Sequence, residues 1–340
     1  MFTNNRAWML LLLAFVLVVA ACGDDDDSSS SDNGASGDES EFGRIIISGS
    51  STVEPISARV GQAYEAIDDS VATTVEGPGT GDGFARFCAG ETDISDASRA
   101  IKDSEAEECA ANGIDYVELH IATDGISVIT SPDNSAVSCL DFNDMYAIVG
   151  PESEGFENWN DADSLGAELG ATHAPYPAAP LVITAPGDES GTYDTFVELV
   201  IEDIADERGQ SAETRVDYNA EANDQVIVGN ISNDPTSFGW VGFAFFEENA
   251  ASLKAIEVDN GESGCVAPTT ETIASFEYPL SRPLFIYVKT TDLANRSDLV
   301  SFVDFYLSDE GLVYVSEAGY VQLPSSDMDS TRAAWESAKG

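Results

Sequence analysis

Residues 77–101 read GPGTGDGFARFCAGETDISDASRAI. Glycine at alternate positions from Gly77 to Gly83 breaks regular structure and opens a loop. Phe84 to Cys88 then starts a helix, and the run closes in a short strand ahead of Ser98 and Arg99. Immediately upstream, residues 71–76 (VATTVE) are strand-like. The order is therefore strand, glycine loop, helix, strand, and it recurs on both sides. Residues 44–48 (RIIIS) are a β-branched run that ends in Gly49-Ser50-Ser51-Thr52-Val53-Glu54-Pro55, after which residues 56–67 carry apolar positions at helical period. Further strands are expected at 116–122, 126–130, 181–184, 238–243, 253–258 and 284–288, with helices at 192–207 and 292–307. Such alternation predicts an α/β fold with mainly parallel sheets. Ligands in these folds sit beyond the carboxyl ends of strands, on the loops that open helices.

Three of those loops share a composition: Gly49-Ser50-Ser51-Thr52, Gly77-Pro78-Gly79-Thr80-Gly81 and Glu189-Ser190-Gly191-Thr192. Each offers hydroxyls and free backbone N–H groups where a helix begins. Unsatisfied N–H donors and the positive end of the helix dipole make an anion site that needs few cationic side chains. No loop is a P-loop, since GxxxxGK[ST] is absent, and GPGTGDG has the wrong spacing for a dinucleotide fingerprint. Ser190 lies in Gly-Asp-Glu-Ser-Gly, which is not the GxSxG nucleophile elbow. The two histidines leave few partners for a catalytic serine: His120 lies in a strand-like run and reads as structural, His173 in a Pro/Ala-rich loop and reads as exposed. No CxxC or His-rich spacing suggests zinc. No metal, cofactor or catalytic residue is expected.

Among the 340 residues, 14 Lys and Arg face 62 Asp and Glu, a formal charge of −48. That charge excludes nucleic acid, whose phosphates need cations to replace their counterions, and disfavours anionic lipid surfaces. It does not exclude one small anion held by backbone dipoles, hydroxyls and an arginine. Arg99 is a candidate, because a planar guanidinium suits a tetrahedral oxyanion.

The N-terminus reads as an address. Arg6 precedes an unbroken apolar run from Ala7 to Ala21, and Val19-Ala20-Ala21-Cys22 ends it. The run is short for a membrane span and fits a signal peptide, residues 1–21. Small residues ahead of a cysteine resemble a bacterial lipobox, so Cys22 is expected to carry lipid. Residues 22–41 (CGDDDDSSSSDNGASGDESE) hold too little apolar surface for a core and form an acidic tether. The body is then residues 42–340. Four cysteines remain, an even number that in an exported protein points to two disulfides. Three pairings are possible. The proximity of Cys88 and Cys109 in sequence favours Cys88–Cys109, which leaves Cys139–Cys265.

The chain resembles the substrate-binding component of the bacterial phosphate (Pst) ABC transporter. The resemblance rests on GSSTVEP (49–55), the 77–101 run, IATDGI (121–126), GDESGTY (187–193), VGNISNDPTSFGWVGFAFFEEN (228–249) and YPLSRPLFIYV (278–288). It implies a type 2 periplasmic-binding-protein fold: two lobes, each with a mainly parallel sheet and flanking helices, joined by two crossover strands near 120–126 and 276–284. Lobe 1 would comprise 42–122 and 282–340, and lobe 2 would comprise 123–281. Both expected disulfides fall within a lobe, so neither opposes hinge closure. Matched by motif, Ser51, Thr52 with the Val53 N–H, Thr80 with the Gly81 N–H, Ser98 and Arg99 face the anion from lobe 1. Ser190, Gly191 and Thr192 face it from lobe 2. One branch of the family places an Arg four residues before the Ser-Gly-Thr serine and an Asp in the strand after the second loop; here Pro186 and Ser98 are read at those positions. The acceptor for the hydrogen of monohydrogen phosphate is therefore assigned to Asp124, with Asp188 second. The implied function is extracytoplasmic, lipid-anchored capture of inorganic phosphate by a monomer and delivery to membrane permease subunits, without enzymatic activity. The alternatives are another oxyanion (sulfate or molybdate), a phosphate sensor, or an extracytoplasmic hydrolase.

Overall fold

The computed structural model describes residues 43–340 except 263 and 292, so the expected signal peptide, Cys22 and the tether lie outside the described residues. The chain opens with β1 (Gly43–Gly49), α1 (Glu54–Glu65), β2 (Val71–Glu76), α2 (Thr80–Cys88), β3 (Ile94–Ala97), α3 (Asp103–Ala111) and the long β4 (Tyr116–Thr130). It continues with β5 (Cys139–Asp141), α4 (Phe142–Val149), α5 (Asp163–Leu169), β6 (Val182–Ala185), α6 (Gly191–Phe196), α7 (Glu202–Arg208), β7 (Asn219–Ala220), α8 (Asp224–Asn233), β8 (Ser237–Gly242) and α9 (Phe243–Glu248). Then come β9 (Lys254–Ala255), β10 (Glu257–Asp259), β11 (Cys265–Val266), α10 (Thr270–Ala274), β12 (Ser281–Lys289), α11 (Ser297–Tyr306), α12 (Val313–Glu317) and α13 (Ser325–Lys339).

The strands run β2-β1-β3-β12-β4-β8-β6-β7, with β9 on β4 and a separate sheet β11-β10-β5. The fold class is α/β as expected, but the sheets are mixed. Pairing is parallel at β2–β1–β3 and at β8–β6–β7, and antiparallel through the centre, where β12 meets β3 and β4, and β4 meets β8. The central pairing has a direct cause. Strand β4 does not stop at Thr123-Asp124-Gly125, where the sequence suggests a break. It pairs with β12 from Tyr116 to Gly125 and with β8 from Ile126 to Ile129. Partners on both sides of the polar triplet keep it extended. Val321 adds two backbone bonds to Thr123 at the same place (2.9 Å each).

Apolar burial separates along the same line. One core gathers Ile45, Ile47, Val60, Ile121, Leu284, Ile286, Phe302 and Trp335, with a smaller cluster of Phe84, Phe87 and Tyr287 on the far face of the sheet. The other gathers Ile126, Val128, Tyr146, Trp159, Phe196, Phe238, Trp240 and Tyr278. Fully burying aromatic and branched side chains of this kind stabilises by about 1.5–3 kcal/mol each. Both disulfides are present, Cys88–Cys109 joining α2 to α3 and Cys139–Cys265 joining β5 to β11.

Helix α2 begins at Thr80, earlier than Phe84 as the glycines suggest. Glycine costs about 1 kcal/mol in a helix interior, yet here it permits close packing. A Cβ on Gly83 would stand 2.4 Å from the Gly49 Cα and 2.9 Å from the Ser48 carbonyl oxygen; one on Gly49 would meet the Asp96 carbonyl at 2.0 Å. The backbones of the first two loops and β3 therefore touch directly. Gly83→Ala should cost about 1–3 kcal/mol of stability through overpacking, read as a lower urea midpoint. An unchanged midpoint would show that the helix can retreat without loss.

Candidate anion-binding site

Loop 1 leaves β1 at Gly49 and turns into α1, whose first turn accommodates Pro55. The Ser50 N–H donates to the Asp96 carbonyl (2.8 Å), which fixes this turn on the end of β3. In loop 2, Gly79 at φ +109° sets the chain for α2, and its N–H donates to the Gly49 carbonyl (2.9 Å). Thr80 Oγ1 lies 3.1 Å from Ser98 Oγ and accepts from the Ser98 N–H (3.2 Å). The three segments thus converge at one corner of the sheet, with the unsatisfied first-turn N–H groups of α2 beside hydroxyls.

A cavity of about 260 Å³ opens there, lined by Ser50, Ser51, Thr52, Gly79, Thr80, Gly81, Ser98, Arg99, Asp194, Glu198 and Arg282. A second cavity of similar size shares Thr52 and adds Asp124, Gly191, Thr192 and Thr195. The structure thus brings Ser51, Thr52, Thr80, Gly81, Ser98 and Arg99 to one cavity, and Asp124, Gly191 and Thr192 to its neighbour. Val53 and Ser190 line neither. Val53 is fully buried and its N–H donates to the Ser50 carbonyl (3.1 Å). Ser190 caps α6, its Oγ accepting from the Thr192 N–H (3.2 Å). Asp188 is exposed.

Arg282 is the residue that sequence reading passed over. It stands on β12 in the SRP of YPLSRPL, is 5% exposed, and uses all its nitrogens. Nη2 donates to Thr52 Oγ1 (2.7 Å) and to Thr195 Oγ1. Nε donates to Asp124 Oδ2 (3.2 Å), and Nη1 to Glu198 Oε2. Glu198 lies in the π-helical turn Val197–Ile201 that follows α6, a local widening often found at functional sites. One guanidinium therefore ties loop 1, the crossover strand and the α6 segment together.

Arg99 is also engaged. Nη1 and Nη2 donate to the two Glu105 oxygens (2.9 and 2.8 Å), and the guanidinium lies 5.5 Å over the Phe84 ring. Asp124 and Glu198 sit against Arg282, Glu105 against Arg99, and Asp194 on the cavity wall, so carboxylates outnumber the two arginines and the site has no net positive formal charge. An anion would gain from positioned N–H and O–H donors rather than from bulk charge. Burial pushes the carboxyls of Asp124 and Asp194 up, opposed in both by Arg282.

Strand β3, which follows loop 2, also carries an aspartate. Strand β3 ends at Ala97, so Ser98 lies just past it, while Asp96 sits within it. Asp96 is fully buried, its Oδ1 accepts from Ser57 Oγ (2.9 Å), and its Oδ2 has no partner among the described residues. Burial pushes this carboxyl from 3.8 up to about 8. A carboxyl raised in the folded state favours folding while protonated. That contribution is complete below about pH 4 and is lost as the pH climbs toward about 8. Between pH 5 and 7 the wild-type chain should lose about 2–3 kcal/mol relative to Asp96→Asn. Urea unfolding at both pH values tests this; parallel losses in the two proteins would refute it.

The histidines divide. His120 is half-buried, bonds the Ala122 carbonyl (2.9 Å) and packs on Phe285, as a structural residue does. His173 is not simply exposed, as its loop suggests; it pairs with Asp144 (2.7 Å).

Comparison with known proteins finds relatives over most of the chain. The PBP superfamily domain matches residues 32–310. Protein SphX of Synechocystis sp. is 39% identical over 82% of this chain and 78% of its own. The phosphate-binding protein PstS of Staphylococcus epidermidis is 33% identical over 88% of this chain and 85% of its own. Among solved structures, a possible phosphate binding protein from Planctomyces limnophilus superposes with a TM-score of 0.79 at 35% identity, covering 88% of this chain and 99% of that one.

Proposed function

The chain belongs to the PBP superfamily, in the group that holds SphX and PstS, and from that premise we propose that it captures inorganic phosphate for an ABC-type permease. The observation that carries the reading is the cavity where loop 1, loop 2 and the segment after β3 bring Ser51, Thr52, Thr80, Gly81 and Ser98 to two arginines. Gly191 and Thr192 approach from the α6 side, and lobe closure would bring them onto the anion. We take lobe 1 as 42–122 with 282–340, and lobe 2 as 123–281. The group is one of substrate-binding proteins rather than enzymes. The N-terminal signal and Cys22 fit export and a lipid anchor, and no helix among the described residues is long and apolar enough to cross a membrane.

Asp124 is the acceptor that the sequence suggests for the phosphate hydrogen, but its carboxylate already receives Arg282 and Thr195. Asp194 lines the same cavity as Arg99 and Thr80, and it is the better-placed acceptor. A carboxylate there accepts the hydrogen of monohydrogen phosphate and repels sulfate, which has none. Asp194→Asn should weaken phosphate by about 10–100-fold, as the loss of one charge-assisted hydrogen bond does, and narrow the preference over sulfate. Calorimetric titration with phosphate, sulfate and arsenate from pH 5 to 8.5 tests the whole reading. Micromolar or tighter phosphate binding is the order expected; equal affinity for sulfate would overturn the phosphate assignment.

A further inference from the structure

The Cys139–Cys265 bond stands beside a histidine that is built to face it. His173 Nε2 lies 3.8 Å from Cys265 Sγ, while Nδ1 contacts Asp144 Oδ2 at 2.7 Å. Asp144 is fully buried and saturated: Oδ1 accepts from the Tyr176 hydroxyl (2.7 Å) and Oδ2 from the Asp141 N–H (2.8 Å). An acceptor so placed holds the proton on Nδ1 and turns the Nε2 lone pair toward the sulfurs. Carboxylate, histidine and metal are arranged in this order in protein zinc centres. The two sulfurs and the imidazole nitrogen lie within 4.8 Å of one another.

We propose that opening this disulfide turns the corner into a site for a thiophilic divalent cation of the zinc type, with Cys139 Sγ, Cys265 Sγ and His173 Nε2 as ligands. Tetrahedral bonds of about 2.3 Å to sulfur and 2.0 Å to nitrogen put sulfur and nitrogen about 3.5 Å apart, close to the separation already present. Water completes the sphere on the exposed Cys265 side. Asp144 itself is no ligand, because its oxygens are occupied; it is a positioning residue. The backbone of both cysteines stays in place after reduction, since β5 and β11 both pair with β10. The chemistry balances with a phosphine reductant: disulfide, phosphine and water give two thiols and phosphine oxide. The cation then displaces both thiol protons.

Cobalt(II) serves as the probe for the full-chain protein. After phosphine reduction, one equivalent should bind with thiolate-to-cobalt charge transfer and tetrahedral d–d absorption, and the oxidised protein should show neither. His173→Ala, at a partly exposed position, and Asp144→Asn should each weaken cobalt by 10–100-fold. Cys139→His needs no reductant, so Cys88–Cys109 stays intact, and it leaves the Cys265 thiol between two imidazoles; it should bind cobalt with a single-thiolate spectrum. The proposal falls if His173→Ala binds as tightly as the wild type, or if neither the reduced protein nor Cys139→His gives cobalt–thiolate absorption.

Discussion

Arg282→Ala should cost about 3–5 kcal/mol of folding stability and reduce phosphate binding below detection by calorimetry. The stability loss arises because the substitution removes the guanidinium and leaves the Asp124 carboxylate behind. That group is 8% exposed and has Arg282 as its cationic partner. A buried charge left unpaired costs more than the pair contributed. Thr52 and Thr195 also lose a donor, and the three segments that Arg282 joins are free to separate. Arg282→Lys should not rescue the protein, since one ammonium cannot reproduce the four directed contacts of the fork. Pairing Arg282→Met with Asp124→Asn should cost less than the sum of the single changes, because the second removes the orphaned charge. Additive losses in that cycle would show that the two residues do not act on each other.

Arg99→Ala should weaken phosphate by about 2–5 kcal/mol with little change in stability. Arg99 and Glu105 are 25% and 18% exposed, and a pair so near solvent stabilises the fold by about 0–1 kcal/mol. In the cavity the same guanidinium is held to one place by Glu105 and by the Phe84 face. A preorganised cation loses less freedom on binding an anion than a mobile one. The separation of the two effects identifies the role. Loss of binding with a native urea midpoint assigns Arg99 to the anion, whereas unchanged affinity removes it from the site.

The loops of the site were legible in the sequence because glycine, serine and threonine at helix starts declare their conformation locally. Arg282 was not. Its partners Thr52, Asp124, Thr195 and Glu198 lie 230, 158, 87 and 84 residues away, and within YPLSRPL it reads as any polar residue in a strand. Asp96 was hidden differently: with 62 acids in the chain, no pattern marks the one that becomes buried. The pairing of His173 with Asp144 joins loop to helix across 29 residues, and a Pro/Ala-rich loop gives no sign of it.

The sequence by itself determined the α/β alternation, the even cysteines and the Gly/Ser/Thr loops that open helices, since backbone preference and local hydrogen bonding act over a few residues. Tertiary structure alone decided that β4 runs unbroken through Thr123-Asp124-Gly125, because β12 on one side and Val321 on the other give the polar triplet pairing partners that it lacks on its own. It also decided which charges meet. In a chain of net charge −48, the carboxylates that surround each cavity arginine are set by packing and not by composition.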